Sequence, residues 1–171
     1  MNFSDIIIVA TDADGVLTDG KLFLDKNGNQ GKSFSIKDGF AFKLLKLAGL
    51  KSVIISGKKT GIIQERFSEI GVDFIFENVE NKLSVMERLC IQEGVMMKNV
   101  CYLGDDVPDI PVLKKVGFSV APCDAVEEVK EVVMYVTGKK AGEGALRECA
   151  EIILKGQKKW EESLTKSLEL L

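Results

Sequence analysis

The sequence predicts a Rossmann-like α/β fold, a doubly wound parallel sheet with a small β-hairpin flap. Three observations predict it. A continuous β-branched run at residues 6–10 and apolar runs at 53–55 and 100–103 suit strands buried on both faces. Stretches of helical period lie between such runs, the alternation that builds βαβ units. Two of the runs end in acidic pairs, Asp12/Asp14 and Asp105/Asp106, at the carboxyl ends where parallel sheets form ligand crevices.

The totals bound the function. A chain of 171 residues, 46% hydrophobic and 29% charged, suits one globular domain over residues 1–171. A net charge of −3 with dispersed lysines gives no support to a nucleic-acid partner. The run at 6–10 is too short for a membrane span or a secretory core, so no membrane partner is expected and the cytoplasm is the default location. The four cysteines (Cys90, Cys101, Cys123 and Cys149) form no Cys-x-x-Cys pair, and reduced, packed thiols are expected. The chain has no histidine. Histidine-based triads and histidine-ligated metals are therefore excluded, and proton transfer falls to carboxylates, lysine, tyrosine, cysteine or metal-bound water.

The elements follow in order. Ile6 to Ala10 is the first strand and ends in Asp12-Ala13-Asp14-Gly15. Side chains alternate along a strand, so the two acids project together as it runs out. A helix-loop-helix calcium site would need Gly and Glu where Leu17 and Phe23 stand, and fails. Residues 21–36 hold two short alternating segments around Asn27-Gly28, a hairpin signal. Asp38 opens a helix carrying Phe40, Leu44, Leu45 and Leu47, closed by Gly49. Ser52 to Ser56 is the second strand. Thr60 can cap a helix with Ile62, Ile63, Phe67 and Ile70, ending at Gly71. Asp73 to Phe76 is the third strand, and Lys82 to Gln92 a helix. Val100 to Leu103 is the next strand, followed by a short proline-started helix reaching Lys115. Residues 118–122 and 132–136 read as strands around a helix at 125–131. The last long helix begins near Ala145, and an amphipathic tail with Trp160, Leu164 and Leu168 closes the sequence, giving a C-terminal helix and tail over about 144–171.

If the two acid-tipped strands are neighbours, about 5 Å apart, four carboxylates crowd one crevice and repel each other. A hard divalent cation with oxygen ligands resolves this, and Mg²⁺ fits best. Asp106 and Asp109 either cap the following helix or orient a lysine.

Several segments taken together resemble the haloacid dehalogenase superfamily. They are Asp12-x-Asp14-Gly15-Val16-Leu17-Thr18-Asp19-Gly20, Ser56-Gly57, Lys82, and Gly104-Asp105-Asp106-Val107-Pro108-Asp109. Asp38-Gly39-Phe40 and Ala141-Gly142-Glu143-Gly144-Ala145-Leu146-Arg147-Glu148 are similar to the small capless branch typified by 3-deoxy-D-manno-octulosonate 8-phosphate phosphatases. The resemblance spans roughly residues 5–155. It implies a phosphatase in which Asp12 attacks phosphorus and Asp14 protonates the leaving sugar oxygen, then activates water. It further implies Mg²⁺ on the side chains of Asp12 and Asp105 and the backbone carbonyl of Asp14. Ser56 and the Gly57 amide would hold phosphoryl oxygens and Lys82 would neutralise them. Lys58 stands where octulosonate phosphatases typically carry Arg and nonulosonate 9-phosphate phosphatases Glu.

Neither gap between these motifs can hold a cap domain. The resemblance implies a homotetramer instead, with hairpins associating and residues 142–147 or the C-terminal tail reaching a neighbour's site. Lys58, Arg66 and Arg147 are then candidates to bind the carboxylate and hydroxyls of a phosphorylated sugar acid. A nonulosonate 9-phosphate or a broader range of sugar phosphates stays open as substrate. A receiver-type phospho-switch is the rival of another class, but it needs its phosphoacceptor after the third strand, where Phe76-Glu77-Asn78 has no Asp.

Overall fold

The computed structural model describes residues 3–28 and 30–169. β1 (Ile8–Asp12) is buried along its whole length, as its β-branched composition requires. It leads to a two-stranded ribbon, β2 (Phe23–Leu24) and β3 (Gln30–Gly31), in antiparallel register with Phe23 opposite Gly31. Then come α1 (Ile36–Leu47), β4 (Lys51–Ile55), α2 (Ile62–Ile70), β5 (Phe74–Phe76) and α3 (Lys82–Glu93). The second half holds β6 (Val100–Leu103), α4 (Ile110–Leu113), β7 (Phe118–Ala121), α5 (Glu127–Lys130), β8 (Tyr135–Val136), α6 (Ala145–Gly156) and α7 (Trp160–Leu168).

The six main strands pair in parallel in the order β5-β4-β1-β6-β7-β8. The chain works outward from β1 to one edge, then returns past it to build the other half. This is the doubly wound pattern expected, and its reversal point lies between β1 and β6. Strand alternation splits the core in two. Val9, Ile54, Cys101 and Leu103 pack with α1, α2, α6 and α7, around Phe42, Phe67, Leu146 and Ile153. Ile8, Ala10, Val53, Ile55 and Tyr102 pack with α3, α4 and α5, around Met86, Leu89 and Val112. Among the described residues no helix is long and apolar enough to cross a membrane.

The hairpin forms where expected but is shorter. Gly28 takes a left-handed φ of +82° and its amide closes the turn on the Asp25 carbonyl at 3.0 Å; Asn29 lies outside the described residues. Phe34, at the ribbon's base, sets its ring edge-on to Phe67, centroids 5.3 Å apart.

Three local expectations are corrected. The first helix begins one cap earlier, at Ser35, whose hydroxyl accepts from the Asp38 amide; Asp38 is instead buried in the first turn. Thr60 does not cap α2: Gly61 does so with a φ of +72°, and the Glu77 carboxylate accepts from the Thr60 and Gly61 amides. The strand expected at 132–136 shrinks to Tyr135–Val136, because the amides of Val132 and Val133 close turns on the Val129 carbonyl. α7 folds back on its own α1, with Trp160 buried and the Lys159 ammonium donating to the Ala48 carbonyl at 2.9 Å.

Candidate active site

The reversal point carries the acids. Asp12 ends β1 and Asp105 lies just beyond β6. One carboxylate oxygen from each of Asp12, Asp105 and Asp109 comes within 4.8 Å of the others. Two glycines permit this crowding. Gly15 has a φ of +88°, and a Cβ there would collide with the Asp105 carboxylate. A Cβ on Gly104 would collide with the Asp109 side chain.

One lysine sits in the cluster. Lys82 opens α3, whose start is fixed by the Asn81 side chain accepting from the Ser84 amide. Its buried ammonium lies 2.8 Å from Asp12 Oδ1 and 2.7 Å from Asp109 Oδ1. Tyr102 donates its hydroxyl to the same Asp109 oxygen at 2.8 Å, and the Asp105 amide donates to Asp109 Oδ2 at 3.2 Å. Asp109 is therefore committed to orienting Lys82 and the loop. Asp106 caps the 3-10 turn Val107–Asp109 that leads into α4, accepting from the Val107 amide at 2.7 Å.

Asp105 is different. Its Oδ1 is buried with no hydrogen-bond partner among the described residues. Burial first, then repulsion from Asp12 and Asp109, pushes its carboxyl up to about 8. Burial also lifts Asp12, to about 6; Lys82 pulls it down and Asp109 pushes it up. Burial depresses the Lys82 ammonium, but Asp12 and Asp109 outweigh it and the net shift is upward. Three crowded acids share a single ammonium and leave one oxygen orphaned, a donor set of hard oxygens that fits a divalent cation.

The surrounding crevice encloses about 330 Å³ and is lined by Asp12, Asp14, Gly57, Lys58, Lys82, Asp105, Asp106 and Asp109 among the residues singled out from the sequence, with Glu80 beside them. The Asp14 carboxylate is absent from the three-acid cluster. Lys32 of the flap holds it instead, at 2.7 and 2.8 Å from its two oxygens. Ser56 is buried at the end of β4, its hydroxyl donating to the Lys58 carbonyl at 3.1 Å and accepting from the Lys58 amide at 3.3 Å. Arg66 and Arg147 do not line this crevice. Arg147 stacks its guanidinium 4.9 Å from the Trp160 ring and 5.4 Å from Phe40, and lines a separate cavity with Tyr135 and Glu148. Within one chain neither arginine is brought to the three acids, and the start of α6 is tied inward. Asp38 accepts from the amides of Gly144 (3.1 Å) and Arg147 (2.8 Å), and the Gly142 amide donates to the Val16 carbonyl at 2.9 Å.

Sequence reasoning missed Lys32 and Tyr102. Tyr102 had a faint signal, as the one hydroxyl-bearing aromatic in a buried strand; Lys32 had none. The cysteines are free as expected, although Cys101 and Cys149 bring their sulfurs to 3.5 Å across β6 and α6.

Comparison with known proteins identifies the family. A family model described as haloacid dehalogenase-like hydrolase matches residues 68–148. The 3-deoxy-D-manno-octulosonate 8-phosphate phosphatase KdsC of Escherichia coli (strain K12) is 33% identical over 164 residues, covering 96% of this chain and 87% of the relative. The Haemophilus influenzae protein of the same name is 37% identical over 155 residues, covering 91% and 86%. Among solved structures, the Moraxella catarrhalis 3-deoxy-D-manno-octulosonate 8-phosphate phosphatase, in complex with magnesium ion, phosphate ion and a KDO molecule, superposes with a TM-score of 0.93 at 30% identity. It covers 96% of this chain and 95% of that one. The cobalt-bound phosphatase of Haemophilus influenzae gives 0.90 at 34% identity, covering 96% and 99%.

Proposed function

Because the chain belongs to the haloacid dehalogenase-like hydrolases, we propose that it is a Mg²⁺-dependent phosphatase of 3-deoxy-D-manno-octulosonate 8-phosphate, working through an aspartyl-phosphate on Asp12. The observation that carries this reading is the crevice at the β1/β6 reversal, where Asp12 is held by Lys82 beside the partnerless oxygen of Asp105. Similarity over nearly the whole chain to phosphatases of that ester supports the substrate.

The side chains of Asp12 and Asp105 and the backbone carbonyl of Asp14 would hold the magnesium ion. Bound there, it supplies positive charge against the carboxylates and the phosphoryl oxygens. A carboxylate oxygen of Asp12 bonds to phosphorus as the bond from phosphorus to the sugar oxygen breaks. Asp14 gives that oxygen its proton, a transfer typically worth ~10²–10⁴-fold in rate. Asp14 then takes a proton from water as the water oxygen bonds to phosphorus. The bond to Asp12 breaks, phosphate leaves, and both acids return to their starting states. Lys82 fixes the nucleophile and offsets charge, while the Gly57 amide and the Ser56 hydroxyl bind phosphoryl oxygens. Lys58, a point charge at the crevice, meets the carboxylate of the sugar acid without the planar double grip of an arginine.

Residues 1–171 act in this reading as one hydrolase domain in the cytoplasm, with no nucleic-acid or membrane partner. Assembly as a homotetramer, with Arg66 and Arg147 offered to neighbouring copies, is supported by the flap's exposed Leu22, Phe23 and Leu24. A fully active monomer in the ultracentrifuge sinks that part.

The test is a phosphate-release screen over 3-deoxy-ulosonate phosphates and common sugar phosphates, with Mg²⁺ and with chelator. The octulosonate ester should give the highest kcat/KM and chelator should abolish release. A clear preference for a nonulosonate 9-phosphate moves the substrate to that sugar. No release from any ester ends the reading.

A further inference from the structure

Lys32 runs against the pattern of the ribbon that carries it. The flap turns its apolar side chains outward, with Phe23 71% exposed and Leu24 60%. Its lysine turns inward, with only 2% of the side chain exposed. Lysine ordinarily keeps its ammonium in water, and is buried only when something pairs with it. The partner is Asp14, both of whose oxygens lie within 2.8 Å of Nζ. The Thr18 hydroxyl adds a long bond of 3.4 Å to Oδ1. A ribbon built only to fold or to associate has no use for this inversion.

We infer that Lys32 is a positioning residue for the proton delivered to the leaving group, so that the flap aligns the acid of this site. The inference rests on the reading of Asp14 as that acid. With the ammonium within 2.8 Å of both its oxygens, the Asp14 carboxyl group cannot swing away from the crevice. The proton then passes from Asp14 to the ester oxygen as the bond to phosphorus breaks. Lys32 neither gains nor loses one. Misplacement of a reacting group by ~1 Å costs about 10²-fold in rate, which sets the size of the effect.

The test compares Lys32→Met, Lys32→Arg and Asp14→Asn on simple phosphate monoesters, from 4-nitrophenyl phosphate, whose leaving group needs no proton, to an alkyl phosphate, whose leaving group does. The readout is kcat/KM, which ends at formation of the aspartyl-phosphate, so the later hydrolysis common to all esters drops out. Far-UV circular dichroism checks that each variant folds. Lys32→Met should lose about 10²-fold on the alkyl ester and much less on the aryl ester, and Lys32→Arg should recover most of the loss. An equal loss on both esters, or none, overturns the inference, as does a Lys32→Met protein that unfolds while Lys32→Arg shows no ester dependence. Asp14→Asn separates the two ideas. Ester-selective loss there without any in Lys32→Met removes only the role of Lys32; an equal loss on both esters in Asp14→Asn removes the role of Asp14 itself.

Discussion

The two acid-tipped strands carry the same short pattern and use it differently. At the tip of β1 each acid is paired with a lysine: Asp12 with Lys82, which it shares with Asp109, and Asp14 with Lys32. Beyond β6 neither Asp105 nor Asp106 has one among the described residues. Asp106 closes a helical turn through the Val107 amide, and Asp105 keeps a buried oxygen with no partner among those residues. Both tips are crowded, but only one is left uncompensated by protein. The compensation missing on the β6 side is what a bound cation would provide, so in the proposed reading the difference separates the residues that would react from the residue that would recruit charge.

The sharpest way to break this contrast is at Asp12. Asp12→Asn should fold as the parent does, retain weak Mg²⁺ binding and lose turnover by ~10⁴-fold or more, measured by phosphate release; near-parental activity would remove Asp12 as nucleophile. Lys82→Met comes next. It leaves buried Asp12 and Asp109 unpaired, which should cost ~3–5 kcal/mol in a denaturant titration.

Asp105→Asn sharpens the other side. It removes the carboxylate that lacks a partner, so with chelator present at pH 8 the variant should melt above the parent. The rise in melting temperature that Mg²⁺ gives the parent should vanish. If the variant melts lower and still responds to Mg²⁺, the β6 side does not recruit the ion.

The pH dependence has a definite sign. Asp105 and Asp12 sit at about 8 and about 6, above the ordinary carboxylate range, without metal. A raised carboxyl contributes stability that is present below its unfolded value and lost as pH climbs through the folded one. The metal-free protein should therefore lose stability between pH 5 and pH 8.5. Mg²⁺ affinity, which needs both carboxylates ionised, should tighten over the same window in a calorimetric titration. The smallest effect is expected for Asp106→Ala: a lost cap worth ~0.5–2 kcal/mol, with Mg²⁺ affinity unchanged.

Local chemistry was legible in the sequence wherever a local rule governs it. The β-branched and apolar runs marked β1, β4 and β6, Asn27-Gly28 marked the hairpin, and the acidic pairs marked the crevice before any neighbour was known. Lys82 could be placed only by resemblance, since a lone lysine on a helix carries no signal of its own. What escaped were contacts made across the fold. Lys32 meets Asp14 from 18 residues away, and the Asp109–Lys82 pair spans 27; no periodicity encodes either. Thr60 failed as a cap because Glu77, on a different strand end, supplies the acceptor. The stacking of Arg147 against Phe40 and Trp160 is a contact of the same kind.

The carboxylate of Asp38 waits for the amides of Gly144 and Arg147, more than a hundred positions later in the chain. Through Gly142 the same late turn braces the loop that follows Asp12. During synthesis, every group that would touch phosphate has left the ribosome before that brace exists. The hydrolase thus emerges with its reactive parts in hand and its closing clasp last, so a fragment ending before residue 138 would hold the acids without the support that fixes them.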